Sequence, residues 1–398
     1  MMKFDTLPTQ CLVDHSLEIR VRGAVPGEAV VLKLGNRFKS TVFLSEATFE
    51  ADAAGVIDLV AHAPISGSYD SVNAMGLFWS RVPITGELAA AISGLSDDPL
   101  TTTLTAESAD GRQSISHAIR RVYLGPGVTS RAVDANGLVG KLFEPPGTGP
   151  HPALLVLGGS GGGIEWSQET AALMASHGYL SLALAYFAAE GLPPTLDRIP
   201  LEYFGTALQW LAAQPTAAAD RIGVIGASRG GELALLLGAS YPVIRTVVAY
   251  VPSGIVHGAY PENGFSAWTL GGKEIPFSES SSAEERAGIA VERINGSVLM
   301  ISGIDDQLWP STELTDIAVR RFQRNNFPHR VEHLRYKSAG HSIGWPNGPT
   351  TTLHFRHPVS GEEMNAGGTP EGTARARSDS WARMLEFVRD ALAGTPPP

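Results

Sequence analysis

Apolar and polar residues alternate with a period near two through the first third of the chain. LEIRVRG (17–23), AVVLKLG (29–35), TVFLSEATFEA (41–51), GVIDLVAHA (55–63) and LTTTLTAES (100–108) all read this way, mostly separated by Gly, Pro, Asn or Asp. SISHAIRRVYL (114–124) adds another strand. Six or seven short strands in about 125 residues, with few helical patterns, predict an antiparallel β-sandwich. A short helix over 86–93 is expected to interrupt it.

The rhythm changes after YLGPGVTSRAV (123–133). Apolar runs such as ALLVLGG, YLSLALAYF, RIGVIG, TVVAYV and SVLMISG now alternate with helical patterns over 168–177, 201–213, 231–241, 311–325 and 378–393. Strands of this kind, buried on both faces, predict a mostly parallel sheet covered by helices. The division expected is residues 1–127 as the sandwich and 128–398 as an α/β domain. Ligands of such sheets bind beyond the carboxyl ends of the strands.

Composition narrows the partners. A formal net charge of −10 argues against a general binder of nucleic acid or of anionic membranes, which needs a basic face. The single cysteine, Cys11, leaves no intrachain disulfide and no multi-cysteine metal site, so a reducing, cytoplasmic location is expected. MMKFDTLPTQ does not read as a signal peptide, and no run reaches the eighteen or so apolar residues of a membrane span.

The candidate chemistry sits where RIGVIG stops. Gly226-Ala227-Ser228-Arg229-Gly230 fits G-x-S-x-G between a strand and a helix. That turn lifts the serine hydroxyl above the sheet edge and aims the next backbone N–H at the same space. A nucleophile of this kind needs a base and an acid that orients it, in the chain order Ser, Asp or Glu, His. Of eleven histidines, His341 has the favourable context, in a Gly-His loop after the strand 330–336. His257, His354 and His357 lie in loops and stay open. Asp305 and Asp306 follow SVLMISG directly; Asp306 has the better spacing, three residues after Gly303 and four before Pro310, with Asp305 as the alternative. The oxyanion of a tetrahedral intermediate would be held by the Arg229 N–H and by Ser160 or Gly161 in the glycine-rich loop 158–163. A phosphate-binding loop is the weaker reading, because no Lys-Ser/Thr follows and Glu165 would repel phosphate.

These segments resemble the acyl-CoA thioesterase and bile acid-CoA:amino acid N-acyltransferase family. The similarity rests on GSYDSVNAMGLFWS (67–80), the P-G-V linker in YLGPGVTSRAV, LALAYFAAEGLPPTLDRIPLEYFGTALQWL (182–211), GASRGGEL and GIDDQLWPS. Arg229 stands where lysine is more usual, a change of little consequence if only its backbone N–H acts. The resemblance implies an immunoglobulin-like sandwich followed by an α/β-hydrolase domain. It implies Ser228 as nucleophile, Asp306 as acid and His341 as base, and an acyl-CoA or other acyl thioester, including one on a carrier protein, as substrate. No cofactor or metal is called for. Serine in place of the transferases' cysteine favours hydrolysis. The alternatives are transfer of the acyl group to an amine or alcohol, and an esterase of secondary metabolism. The segment 252–296 is expected to be a lid or a loop with one short helix, and the pairs Arg120–Arg121 and Arg320–Arg321 are candidates for CoA phosphates.

Overall fold

The longest alternating runs become the longest strands. In the computed structural model, Ala29–Phe38 and Thr41–Glu50 pair antiparallel along their full lengths. The described residues are 1–38, 41–85, 100–280 and 284–393; the helix expected over 86–93 lies outside them. Leu100–Ser108 and Ser114–Val122 extend the same sheet, and Gln10–Leu12 adds to its edge as a parallel strand. A second, three-stranded sheet holds Lys3–Phe4, Arg20–Arg22 and Val56–Asp58, shorter strands than the alternation suggested. Ile19, Val21 and Ile57 meet Val30, Leu32, Leu34 and Leu104 in one apolar core between the two sheets.

The C-terminal sheet has eight strands: β1 (Thr129–Ala135), β2 (Leu138–Glu144), β3 (His151–Leu157), β4 (Leu180–Ala185), β5 (Ala217–Ala227), β6 (Ile244–Tyr250), β7 (Ser297–Gly303) and β8 (Val331–Tyr336). Their order is β1-β2-β4-β3-β5-β6-β7-β8, antiparallel at β1, β2 and β4 and parallel from there on. The fold is therefore of the α/β class. Helices α1 (Glu165–Ser176), α2 (Leu201–Ala212), α3 (Arg229–Ser240), α4 (Ser311–Arg324) and α5 (Pro370–Ala391) accompany the strands. Along β3, Leu155 and Leu157 enter one core and Leu154 and Val156 the other, which is why these strands read as unbroken apolar runs. α5 starts well before position 378, because Thr369 caps it by accepting the Gly372 N–H and Pro370 takes its first turn. None of the described helices is long and apolar enough to cross a membrane.

The two parts are tied together through the loop that follows His341. Thr350 N–H donates to Trp79 O (3.0 Å) and Thr351 Oγ1 to Arg81 O (2.6 Å). Asn347 Nδ2 donates to Val13 O (3.3 Å), and Trp381 Nε1 on α5 donates to Asp14 (2.9 Å).

Candidate active site

The β5–α3 turn is built from close backbone contacts. A Cβ at Gly226 would stand 1.9 Å from Gly230 O, and one at Gly230 would stand 2.2 Å from Gly158 O. Only glycine fits either place. Between them Ser228 has φ +57° and ψ −121°, a conformation that costs about 1–3 kcal/mol for a non-glycine residue. It is held by Ser228 N–H donating to Tyr250 O (2.8 Å) and by Glu232 N–H donating to Ser228 O (3.0 Å). The turn leaves Ser228 at the carboxyl end of β5 and the first amides of α3 without intrahelical acceptors.

His341 and Asp306 arrive from the ends of β8 and β7. His341 Nδ1–H donates to Asp306 Oδ2 (2.8 Å), which leaves Nε2 to accept the Ser228 hydroxyl (2.9 Å). The Asp306 side chain is fully buried, and its Oδ1 also accepts the N–H of Leu308 (3.0 Å) and Trp309 (3.3 Å). Those bonds fix the carboxylate's orientation. Asp305 points elsewhere: its Oδ2 accepts the Ser338 N–H (2.7 Å), tying β7 to the turn after β8. Of the two acids, Asp306 is the one whose side chain meets His341.

The loop 158–163 lies alongside. A Cβ at Gly159 would be 3.0 Å from the Ser228 Cβ, so Ser160 and Gly161 follow immediately beside the serine. Ser160 Oγ is also within 3.0 Å of His357 Nε2. The Nδ1 of His357 accepts the N–H of Val359 (3.2 Å) and Ser360 (3.3 Å), so Nε2 carries the proton and donates to Ser160. Burial, opposed by Glu362, holds His357 below the ordinary histidine range and favours this neutral form. The sequence left His357 as one of several loop histidines, and no spacing rule links positions 160 and 357.

One further group was missed. The Arg229 side chain is buried and donates through Nη2 to His257 O (3.2 Å) and Gly258 O (2.7 Å), with Nε 3.5 Å from Glu232. Glu232 also accepts the Trp268 indole N–H (2.7 Å) and faces His257 Nδ1 (3.0 Å). The Arg229 side chain therefore anchors residues 257–258 to α3, a part that the sequence did not give it. Trp268 is fully buried, and the described part of 252–296 is irregular chain with short strands, a short α-helix, Glu284–Ala287, and a 3-10 turn, Val291–Arg293. Of the arginine pairs, Arg121 is buried and donates to Val13 O and His15 O, Arg321 pairs with Glu292 and Arg320 with Glu284, while Arg120 is exposed.

An α/β enzyme of the hydrolase type accounts for this arrangement of sheet, turn and side chains. Residues 14–135 match the family described as acyl-CoA thioester hydrolase/BAAT N-terminal region, and residues 199–267 and 272–394 match BAAT/acyl-CoA thioester hydrolase C terminal. The chain belongs to this acyl-CoA thioester hydrolase/BAAT family. It is 31% identical to the Mus musculus protein named acyl-coenzyme A thioesterase 6, over 96% of this chain and 95% of that one. It is 30% identical to Mus musculus acyl-coenzyme A amino acid N-acyltransferase 1, over 98% of each, and 29% identical to Homo sapiens acyl-coenzyme A thioesterase 1, over 97% of this chain and 95% of that one. Among solved structures it is similar to a dienelactone hydrolase-like promiscuous phosphotriesterase from metagenomic libraries, 21% identical with a TM-score of 0.46, covering 67% of this chain and all of that one.

Proposed function

We propose that this protein hydrolyses an acyl-CoA thioester through a covalent acyl-enzyme on Ser228. The observation that carries the reading is the unbroken hydrogen-bonded line from Ser228 Oγ through His341 to buried Asp306. His341 Nε2 takes the hydroxyl proton as Ser228 Oγ attacks the thioester carbonyl. The N–H groups of Arg229 and of Ser160 or Gly161 hold the oxyanion, and the Ser160 hydroxyl, with its oxygen already engaged by His357, is a further donor. The C–S bond breaks and the thiol leaves with the proton from His341. Water, deprotonated by the same nitrogen, then releases the acid and restores Ser228. Asp306 keeps Nδ1 protonated and stabilises the imidazolium throughout. The reading includes an immunoglobulin-like sandwich over 1–127, a catalytic domain over 128–398 and a cytoplasmic location.

Transfer of the acyl group to an amine is the second reading, favoured by the 30% identity to a protein named as an N-acyltransferase. Thiol release from a series of acyl-CoA lengths, with products identified by mass spectrometry, separates the two. Hydrolysis predicts free acid even with glycine or taurine added, and Ser228→Ala should remove at least about a thousandfold of the rate. Amide as the main product would replace hydrolysis with transfer. A near-normal rate in Ser228→Ala would remove Ser228 from either reaction.

A further inference from the structure

Between the N-terminal sheets and the loop after His341 lies a cavity of about 270 Å³. Its walls include the side chains of Arg81, Arg121 and Arg377 together with apolar Phe43, Leu100 and Phe355. Arg81 and Arg121 both stack on the Phe78 ring, at 5.7 and 5.1 Å from its centroid, so two buried guanidinium groups share one aromatic support. Each is satisfied by neutral groups. Arg81 donates to Phe78 O, Asn36 Oδ1 and Asn347 O, and Arg121 to Cys11 Sγ, Val13 O and His15 O. Arg377 donates to Ser342 O (2.7 Å) and Pro349 O (3.4 Å). Among the described residues, none of the three makes an ion pair with a carboxylate.

Buried cations without a counter-charge are costly, and removing them from water is repaid only by a nearby anion. The one carboxyl in the cavity wall does not serve. Burial pushes Glu169 up to about 8, against hydrogen bonds from Trp345 (3.2 Å) and Tyr123 and the charge of Arg377, and it makes no ion pair with any of the three arginines. Asp14 acts on Arg121 through space, but its hydrogen bonds go to His177 (2.6 Å) and Trp381 (2.9 Å) and not to the guanidinium. Burial pushes Arg81 down to about 9 and Arg377 to about 10, the direction expected where the charged form is short of a partner.

We propose that this cavity binds a small organic carboxylate, at a site separate from Ser228. Planar guanidinium groups match a carboxylate's two oxygens, and Phe43, Leu100 and Phe355 offer the remainder of the ligand an apolar wall. The volume suits a short chain and is small beside the space a nucleotide needs. Arg377 holds Ser342, the residue next to His341, so an anion drawn to Arg377 would act on the loop that carries the proposed base. The site is argued from the cavity alone and stands whether or not Ser228 reacts.

Calorimetric titration with hexanoate tests it without turnover. Saturable one-to-one binding is expected for the wild type, with hexanol inert and inorganic phosphate weaker. Arg81→Gln removes one charge, and Leu100→Trp, opposite Arg121 on the neighbouring strand, fills the cavity from its sheet wall while keeping all three charges; each should weaken hexanoate at least tenfold. Leu100→Trp keeps the test decisive should Arg81→Gln misfold. Absence of binding at millimolar hexanoate, equal affinity for hexanol, tighter binding of phosphate, or undiminished affinity in Leu100→Trp would each overturn the proposal.

Discussion

His257 Nδ1 lies 3.0 Å from Glu232 Oε2, and both side chains are shut away from solvent one helical turn beyond Ser228. Burial alone would raise the Glu232 carboxyl. The charge of Arg229 and hydrogen bonds from His257 and Trp268 outweigh it and hold the group below its usual 4.5. A depressed carboxyl contributes stability that is present above the unfolded value and lost as pH falls through the folded one. Wild-type stability should therefore drop as pH is lowered below about 4.5, and Glu232→Gln should lose much of that dependence. At neutral pH the same variant leaves Arg229 buried without its carboxylate and should cost about 3–5 kcal/mol. Chemical denaturation at several pH values measures both; an unchanged acid limb in Glu232→Gln would contradict the assignment.

Asp306 and Asp305 separate by consequence. Asp306→Asn should lower kcat by roughly three to four orders of magnitude, as loss of the imidazole tautomer does in serine hydrolases generally. Asp305→Asn, whose amide oxygen still accepts the Ser338 N–H, should leave kcat within about a few-fold, and Asp305→Ala, which gives up that bond, should instead lower Tm. The opposite ranking in steady-state kinetics would reassign the acid.

At Gly226 an added methyl would sit 1.9 Å from the Gly230 carbonyl oxygen. Backbone must move to admit it, so Gly226→Ala should destabilise by about 3 kcal/mol or more and displace Ser228 from His341. Serine-directed phosphonate labelling of the folded fraction should slow strongly. Unimpaired labelling with unchanged Tm would show that the turn tolerates bulk there.

The Ser160–His357 pair gives a milder test. Ser160→Ala should lower kcat by about ten- to a hundredfold with little change in KM, if the hydroxyl helps hold the oxyanion. His357→Gln, which still donates, should retain more activity than His357→Leu. Equal kcat in Ser160→Ala and wild type would confine both residues to a structural role.

The parts legible in the sequence are those set by local rules. Glycines at fixed spacing make the β5–α3 turn, and an apolar run ending in Gly303 places Asp306. The start of α5 was also written locally, in Thr369-Pro370, though the amphipathic pattern is weak there and a later start was expected. The contacts that escaped are made across long separations by side chains with dull local settings. Arg229 reaches backbone carbonyls 28 and 29 residues away, and His357 meets Ser160 across 197. Nothing in hydrophobic periodicity records such meetings. The arginine doublet at 120–121 does not say which member faces in: Arg120 is exposed, whereas Arg121 turns inward beneath the N-terminal strands.

The bonds from Trp79, Arg81 and Val13 to residues 347–351 make the His341 loop joint property of both halves of the chain. Recombination between relatives should respect this. The acceptors are main-chain carbonyls, so a chimera must keep the backbone path at residues 13 and 79–81, while the donating side chains of Asn347 and Thr351 travel with the loop, more than 200 positions downstream. Excision of the N-terminal third would strip the loop that follows His341 of these acceptors. Matching of backbone shape, more than of sequence, thus decides whether segments from two parents can be joined here.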